Sequence, residues 1–97
     1  MSTQPEACIR KAVRQYLALG GWWVVPVVQS ALSYKGIPDL VAMRAGRVVW
    51  IEVKTAAGRL SAAQEAFAAS CQANGIEHLV ARSTADVARL VDCLRLA

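Results

Sequence analysis

Two apolar runs, Asp39 to Met43 and Arg47 to Val53, lie so close together that Ala45-Gly46 between them is short enough for a hairpin turn, with the glycine able to supply a positive φ. This sets an antiparallel strand pair at the centre of the chain. A third run, Trp22 to Val28, is rich in β-branched and aromatic residues, but Pro26 removes a ladder donor and points to an edge position or a bulge. After the hairpin, the alanine-rich segment Ser61 to Ala73 opens on Ser-Ala-Ala-Gln, the spacing of a capping box, and stops at Asn74-Gly75. His78 to Arg82 then reads as one more strand. The passage from Arg47 to Arg82 is long enough for a right-handed crossover, so the last strand should lie parallel to one of the first three.

Helices frame this sheet. Residues Pro5 to Leu19 place Ile9, Ala12, Val13, Tyr16 and Leu17 at the recurrence of a helix with one buried face, ended by Gly20-Gly21. Ser83-Thr84-Ala85-Asp86 opens a last helix whose Val87, Leu90, Val91 and Leu94 fall on one stripe. The expected order is α-β-β-β-α-β-α, an α/β sandwich with a mixed sheet flanked by helices. Neither an internal repeat nor a linker interrupts it, so residues 1–97 are read as one domain.

Composition narrows the function classes. Eleven Lys and Arg against seven Asp and Glu give a net charge of +4 and a pI near 9.3, which favours a polyanionic partner. With 56% hydrophobic and 19% charged residues, the chain is not a disordered tail. At 97 residues it is too short for a multidomain enzyme, and self-association is a natural way to bury more surface. Trp22 to Val28 falls far short of the roughly 20 apolar residues that span a bilayer. The start, MSTQPEAC, does not resemble a secretory leader, and a cytoplasmic location is expected. Cys8, Cys71 and Cys93 form no C-x-x-C pair and read as small apolar helix residues; His78 reads as the first residue of a strand rather than a metal ligand.

Chemistry concentrates in Gly36-Ile37-Pro38-Asp39 and Ile51-Glu52-Val53-Lys54. With Asp39 at the start of one hairpin strand and Glu52 near the end of the other, antiparallel pairing brings both carboxylates to one end of the sheet. Period-two alternation puts Glu52 and Lys54 on one face, turns the Val53 side chain into the core and leaves its carbonyl near the acids. Hard oxygen ligands of this kind suit Mg²⁺ or Mn²⁺. Lys54 would activate an attacking water or neutralise charge developing on phosphorus, so the pattern reads as phosphodiester hydrolysis.

Pro38-Asp39 with Glu52-Val53-Lys54 resembles the PD-(D/E)XK nuclease superfamily. Glu6, Gly20 or Gly21, Gly36 through Leu40, Ile51 through Lys54, Gly58-x-Leu60-Ser61 and Gln64 follow the order of its VRR-NUC branch, so the resemblance runs over nearly the whole chain. It implies a restriction-endonuclease-like three-layer sandwich. It also implies that Asp39, Glu52 and the Val53 carbonyl bind metal, that Lys54 is the catalytic lysine, that Glu6 is the first-helix acid reaching the site, and that Gln64 is the glutamine after the lysine strand. Local alternatives exist for two of these: Glu6 ends Thr3-Gln-Pro-Glu6 and Gln64 ends Ser61-Ala-Ala-Gln64, both capping-box spacings. The Val-Arg-Arg signature of the branch is not evident. Tyr34-Lys35-Gly36 stands before the acids instead, and a lysine there does not offer the bidentate phosphate contact of an arginine.

A nuclease needs a basic surface for the phosphate backbone. Lys35, Arg44, Arg47, Lys54 and Arg59 bracket the acids in sequence, and Arg10, Lys11 and Arg14 form a second group on the first helix, with Arg10 and Arg14 on one face. Trp22 and Trp23 should point to opposite faces, one buried and one exposed at a dimer contact. The resemblance to standalone phage and bacterial members implies a homodimeric, metal-dependent endonuclease acting on branched DNA, four-way (Holliday) junctions first. A flap or fork endonuclease with the same site, a non-catalytic nucleic-acid-binding module and a partner-binding α/β protein are the alternatives.

Overall fold

The computed structural model of the chain describes residues 4–91. Helix α1 (Glu6–Leu19) leads into strand β1 (Trp23–Pro26), the hairpin β2 (Leu40–Arg44) and β3 (Arg47–Val53), helix α2 (Ala62–Ala73), strand β4 (Glu77–Ala81) and a 3₁₀ turn, Thr84–Val87, that runs on as helix to residue 91. The strands form one sheet in the order β1-β2-β3-β4. The first three are antiparallel, and β4 lies parallel to β3, with Val53 opposite Ala81. This is the mixed sheet that the α2 crossover requires. Among the described residues, no helix is long and apolar enough to cross a membrane.

Alternation along the strands separates the two faces. Leu40, Ala42, Val49, Ile51, Val53 and Ala81 point to one side, where they pack on Ile9, Val13 and Leu17 of α1 and on Val87, Leu90 and Val91. Leu17, Leu40, Ile51 and Leu90 are fully buried there, each contributing about 1.5–3 kcal/mol relative to exposure. Trp22 closes this core beneath the Arg47 guanidinium, whereas Trp23 is 68% exposed, as the opposite-face reading requires. On the other side, Phe67 of α2 meets Trp50 of β3 and His78 of β4. Helices thus cover both faces, giving three layers.

Local sequence signals and structure agree where the chain itself supplies the partner. Ser61 and Gln64 make the full capping box of α2, and Pro26 ends β1 on the outer edge of the sheet. His78 is a half-buried strand residue in the second position of β4, and burial pushes its pKa down. Other details differ. Cys8 is exposed rather than packed, because α1 buries only the Ile9, Val13 and Leu17 stripe; Cys71 is buried, and burial pushes its thiol up. The helix after β4 opens as a 3₁₀ turn without a Ser83 side-chain cap, Asp86 instead accepting from the Arg82 amide at 2.8 Å. Helix α1 starts at Glu6 on Pro5, so Glu6 occupies its first turn and not the third position that a Thr3 box needs. Cys93, Leu94 and Thr3 lie outside the described residues.

The hairpin turn carries a specific strain. Ala45 has φ 50° and Gly46 φ 80°, the two positive values of a primed turn that matches strand twist. Alanine in that region costs about 1–2 kcal/mol, which glycine avoids. Ala45→Gly or Ala45→Asn is therefore expected to stabilise the chain by about 1 kcal/mol, read as a rise in denaturation midpoint at unchanged slope.

Candidate active site

Register builds the site. Leu40 faces Ile51 across the hairpin, so Asp39, one residue before β2, stands opposite Glu52. Its position is fixed from three sides. The Asp39 carbonyl accepts from the Val27 amide at 2.8 Å, its Oδ2 accepts from the Val53 amide at 2.8 Å, and the buried Pro38 restricts the backbone before it. Upstream, the Gln29 side chain donates to the Ile37 carbonyl at 2.9 Å, tying down the long connection between β1 and β2.

Glu52 is the unusual group. It is the charged residue in the described core, 2% exposed. Its Oε1 accepts from Gln64 Nε2 at 2.7 Å, while its Oε2 is buried without a hydrogen-bond partner. Burial first, and then the negative charge of Asp39, push its pKa up to about 8; Lys54 pulls in the opposite direction and Glu6 adds a smaller upward push. Gln64 therefore serves two roles with its two ends: Oε1 accepts from the Ser61 amide at 2.8 Å to close the capping box, and Nε2 holds Glu52. The capping and site readings of this residue are compatible.

Lys54 follows on the Glu52 face, half-buried, its amide donating to the Ala81 carbonyl at 3.0 Å. Arg10 of α1 reaches the same place, with Nη1 3.9 Å from Asp39 Oδ1, so a residue expected on the DNA backbone sits against a site carboxylate. Glu6 approaches closely enough for its charge to act on Glu52. Among the described residues, however, no group of three or more His, Cys, Asp and Glu side chains is arranged to hold an ion. Lys35 and Arg59 are exposed in the loops on either side of the α2 N-terminus, and Arg14 is exposed farther along α1.

Arg44 and Arg47 do not join them. Each lies at the hairpin end of its strand, and five residues from Arg47 to Glu52 span about 16 Å. Arg44 Nη1 donates to the Gly21 carbonyl at 2.7 Å, and Arg47 makes paired hydrogen bonds at 2.7 Å to both Glu77 oxygens, which lowers the Glu77 pKa. Adjacency in sequence misleads here because a strand carries its two termini to opposite ends of the sheet.

Arg82, which carries no motif signal in the sequence, holds the loop after Lys54. Its Nη1 donates to the Thr55 carbonyl at 2.7 Å and to the Gly58 carbonyl at 2.6 Å, pinning the turn that leads to α2. The parallel pairing of Val53 with Ala81 brings Arg82 to that loop, and the sequence leaves open which strand β4 joins.

The donor set fits a divalent cation. A buried carboxylate oxygen without a partner, opposite a second carboxylate and beside a lysine, is costly to leave bare and well matched to a small hard ion. Asp39 and Glu52 would hold it, together with the Val53 carbonyl.

The profile of the VRR-NUC domain matches residues 29–85, a stretch that contains Asp39, Glu52, Lys54 and Gln64 and leaves Glu6, Arg10 and Arg14 outside. A solved VRR-NUC domain has the same fold, with a TM-score of 0.75 over 90% of this chain and 94% of that one, at 21% identity. Hjc, a Holliday junction resolvase from Archaeoglobus fulgidus, superposes with a TM-score of 0.52 at 26% identity, over 76% of this chain and 63% of its own. A UPF0102 protein of Synechococcus sp. (strain JA-3-3Ab) is 42% identical over 59 residues, 61% of this chain but only 40% of that relative's length.

Proposed function

The chain belongs to the VRR-NUC domain family, and from that premise we propose that it is a Mg²⁺- or Mn²⁺-dependent endonuclease that hydrolyses phosphodiester bonds in branched DNA, acting as a homodimeric Holliday junction resolvase. The observation that carries this reading is the buried, half-partnered Glu52 carboxylate opposite Asp39 and beside Lys54. The likeness to the archaeal resolvase supports the substrate class.

Asp39, Glu52 and the Val53 carbonyl hold the metal in this reading, with Glu6 entering as the α1 acid. The bound ion supplies Lewis-acid stabilisation of the charge that develops on the phosphate. Gln64 fixes one oxygen of Glu52 and leaves the other for that role. Lys54 orients the attacking water or offsets charge on the departing oxygen, and its position depends on the loop that Arg82 pins. Arg10 balances Asp39; Lys35, Arg59 and Arg14 meet the phosphate backbone, while Arg44 and Arg47 are committed to the fold. Two sites related by a two-fold axis match the symmetric cuts that a four-way junction requires.

Cleavage of a labelled synthetic four-way junction, with a flap and a linear duplex in parallel, tests this reading in Mg²⁺, Mn²⁺ and EDTA. Symmetric nicks that need metal are expected from the wild-type chain. Lys54→Ala and Asp39→Asn should each lower the rate by about 1,000-fold or more. Cutting of the flap alone would overturn the resolvase assignment, and salt-dependent binding without cutting on any substrate would overturn catalysis.

A further inference from the structure

The face of the sheet that carries Glu52 also carries Trp50, two residues earlier on β3 and so about 6.6 Å away along the strand. Beside Trp50 opens a cavity of about 610 Å³ walled by Tyr34, Phe67, Ile37 and Ile76, with Lys35 at its rim. Phe67 stands edge-on to both neighbouring rings, 5.9 Å from Tyr34 and 5.4 Å from Trp50 between centroids. Tyr34 contributes little to the core, being 72% exposed. The segment from Tyr34 to Asp39 borders the cavity at one end and the carboxylates at the other, so the two share a wall.

An aromatic, apolar recess with a cation at its rim, one residue pair from a phosphodiester site, has the chemistry to take a flat apolar group attached to a phosphate chain. We propose that this cavity binds an unpaired nucleobase of the DNA substrate, next to the phosphate that faces the Asp39 and Glu52 site, with Lys35 meeting a neighbouring phosphate. The inference rests on the DNA-nuclease reading for its ligand and adds to it a source of structure selectivity. A base inside a duplex must be unstacked and unpaired before it can enter, whereas a branch point or gap presents bases already released. Aromatic stacking of a single base changes affinity by about 5- to 150-fold irrespective of sequence, so the recess would favour branched over linear DNA without reading any base edge.

The test measures binding in EDTA, where no cutting occurs, by anisotropy on three labelled DNAs of equal length and charge: a perfect duplex, the same duplex with an unpaired stretch, and that second DNA with abasic sites in the unpaired stretch. The wild-type chain should bind the unpaired DNA about 10-fold more tightly than the other two. Tyr34→Ala, and Ala66→Leu placed to fill the cavity from its exposed helix wall, should remove the preference, and Tyr34→Phe should keep it. A 2-aminopurine in the unpaired stretch should be quenched by the wild-type chain and by Tyr34→Phe alone. Equal affinity for abasic and base-bearing DNA, or a preference that survives in Tyr34→Ala, overturns the proposal. So does sedimentation showing that both variants split a dimer while the base preference persists, since the recess would then be a contact between copies. Base-dependent binding without cleavage in Mg²⁺ would overturn catalysis and leave this site standing; cleavage without base dependence would do the reverse.

Discussion

Glu52→Gln is expected to melt about 10 °C above the wild-type chain in EDTA at pH 8.5 and to cut DNA about 1,000-fold more slowly in Mg²⁺. Both effects follow from one carboxylate. In the metal-free fold, burial and Asp39 raise the Glu52 pKa from its usual 4.5 to about 8. Between those values the native state keeps a proton that the unfolded chain has released. Stability is therefore fully present below about pH 4.5, falls as pH rises through this window and levels off above 8. With about 1.4 kcal/mol per unit, the loss is on the order of a few kcal/mol, enough to move the midpoint of a domain this size by about 10 °C or more. Glutamine keeps the oxygen that accepts from Gln64 Nε2 and carries no charge at any pH, so the variant should lose the fall in stability between pH 5 and 8 and keep only the rise with pH that the lowered pKa of His78 contributes. Divalent metal should separate the two in the other direction: an ion that binds only the folded state raises the wild-type midpoint with concentration and leaves the variant unmoved. Thermal melts across pH with EDTA and with Mg²⁺ read all of this. Equal metal stabilisation of both proteins, or a variant less stable than wild type at pH 8.5, would remove Glu52 from the site.

That conflict between stability and site chemistry is partly legible in the residues alone. A glutamate two residues from a lysine in an apolar strand departs from the surrounding pattern, and the hairpin spacing by itself puts Asp39 across from Glu52. The bounds of β3 follow from its run of apolar residues, and the start of α2 from a capping box that needs only its own four residues. What stays hidden is set by tertiary distance. Arg44 and Arg47 lie as close to the acids in sequence as Lys35 and Arg59 do, but the length of the strands sends them to the far end of the sheet, where the Gly21 carbonyl and Glu77 engage them. The role of Arg82 depends on β4 joining β3, and a parallel crossover fixes handedness without naming the neighbour. Glu6 has the spacing of a cap, but spacing alone cannot place the first helical turn; Pro5 places it.

The glycine ahead of Pro38-Asp39 shows how a motif position can be read physically, and Gly36→Ala is expected to cost more than any other single-methyl change in the loops. Gly36 has φ +82°, and a Cβ there would collide with the Ala63 carbonyl oxygen and come within 2.9 Å of the Gln64 amide nitrogen. Those atoms belong to the first turn of α2, which the Ser61–Gln64 box holds rigid, so the loop must yield instead. The left-handed backbone alone costs alanine about 1–2 kcal/mol. Forcing the loop off the helix adds to that, for a total on the order of 3–4 kcal/mol and a fall in midpoint of about 15 °C. Gly46→Ala is the control, because Gly46 has φ +80° but nothing within 4 Å of the added methyl group, so only the backbone cost applies. The difference between the two variants isolates the close approach. Since this same contact sets Asp39 on one side against Gln64 and Glu52 on the other, Gly36→Ala should also weaken Mg²⁺ stabilisation of the folded chain, while Gly46→Ala leaves it intact. Equal losses in the two variants, with metal stabilisation preserved in both, would mean that the loop and α2 are not packed as described and that the site is not held together at Gly36.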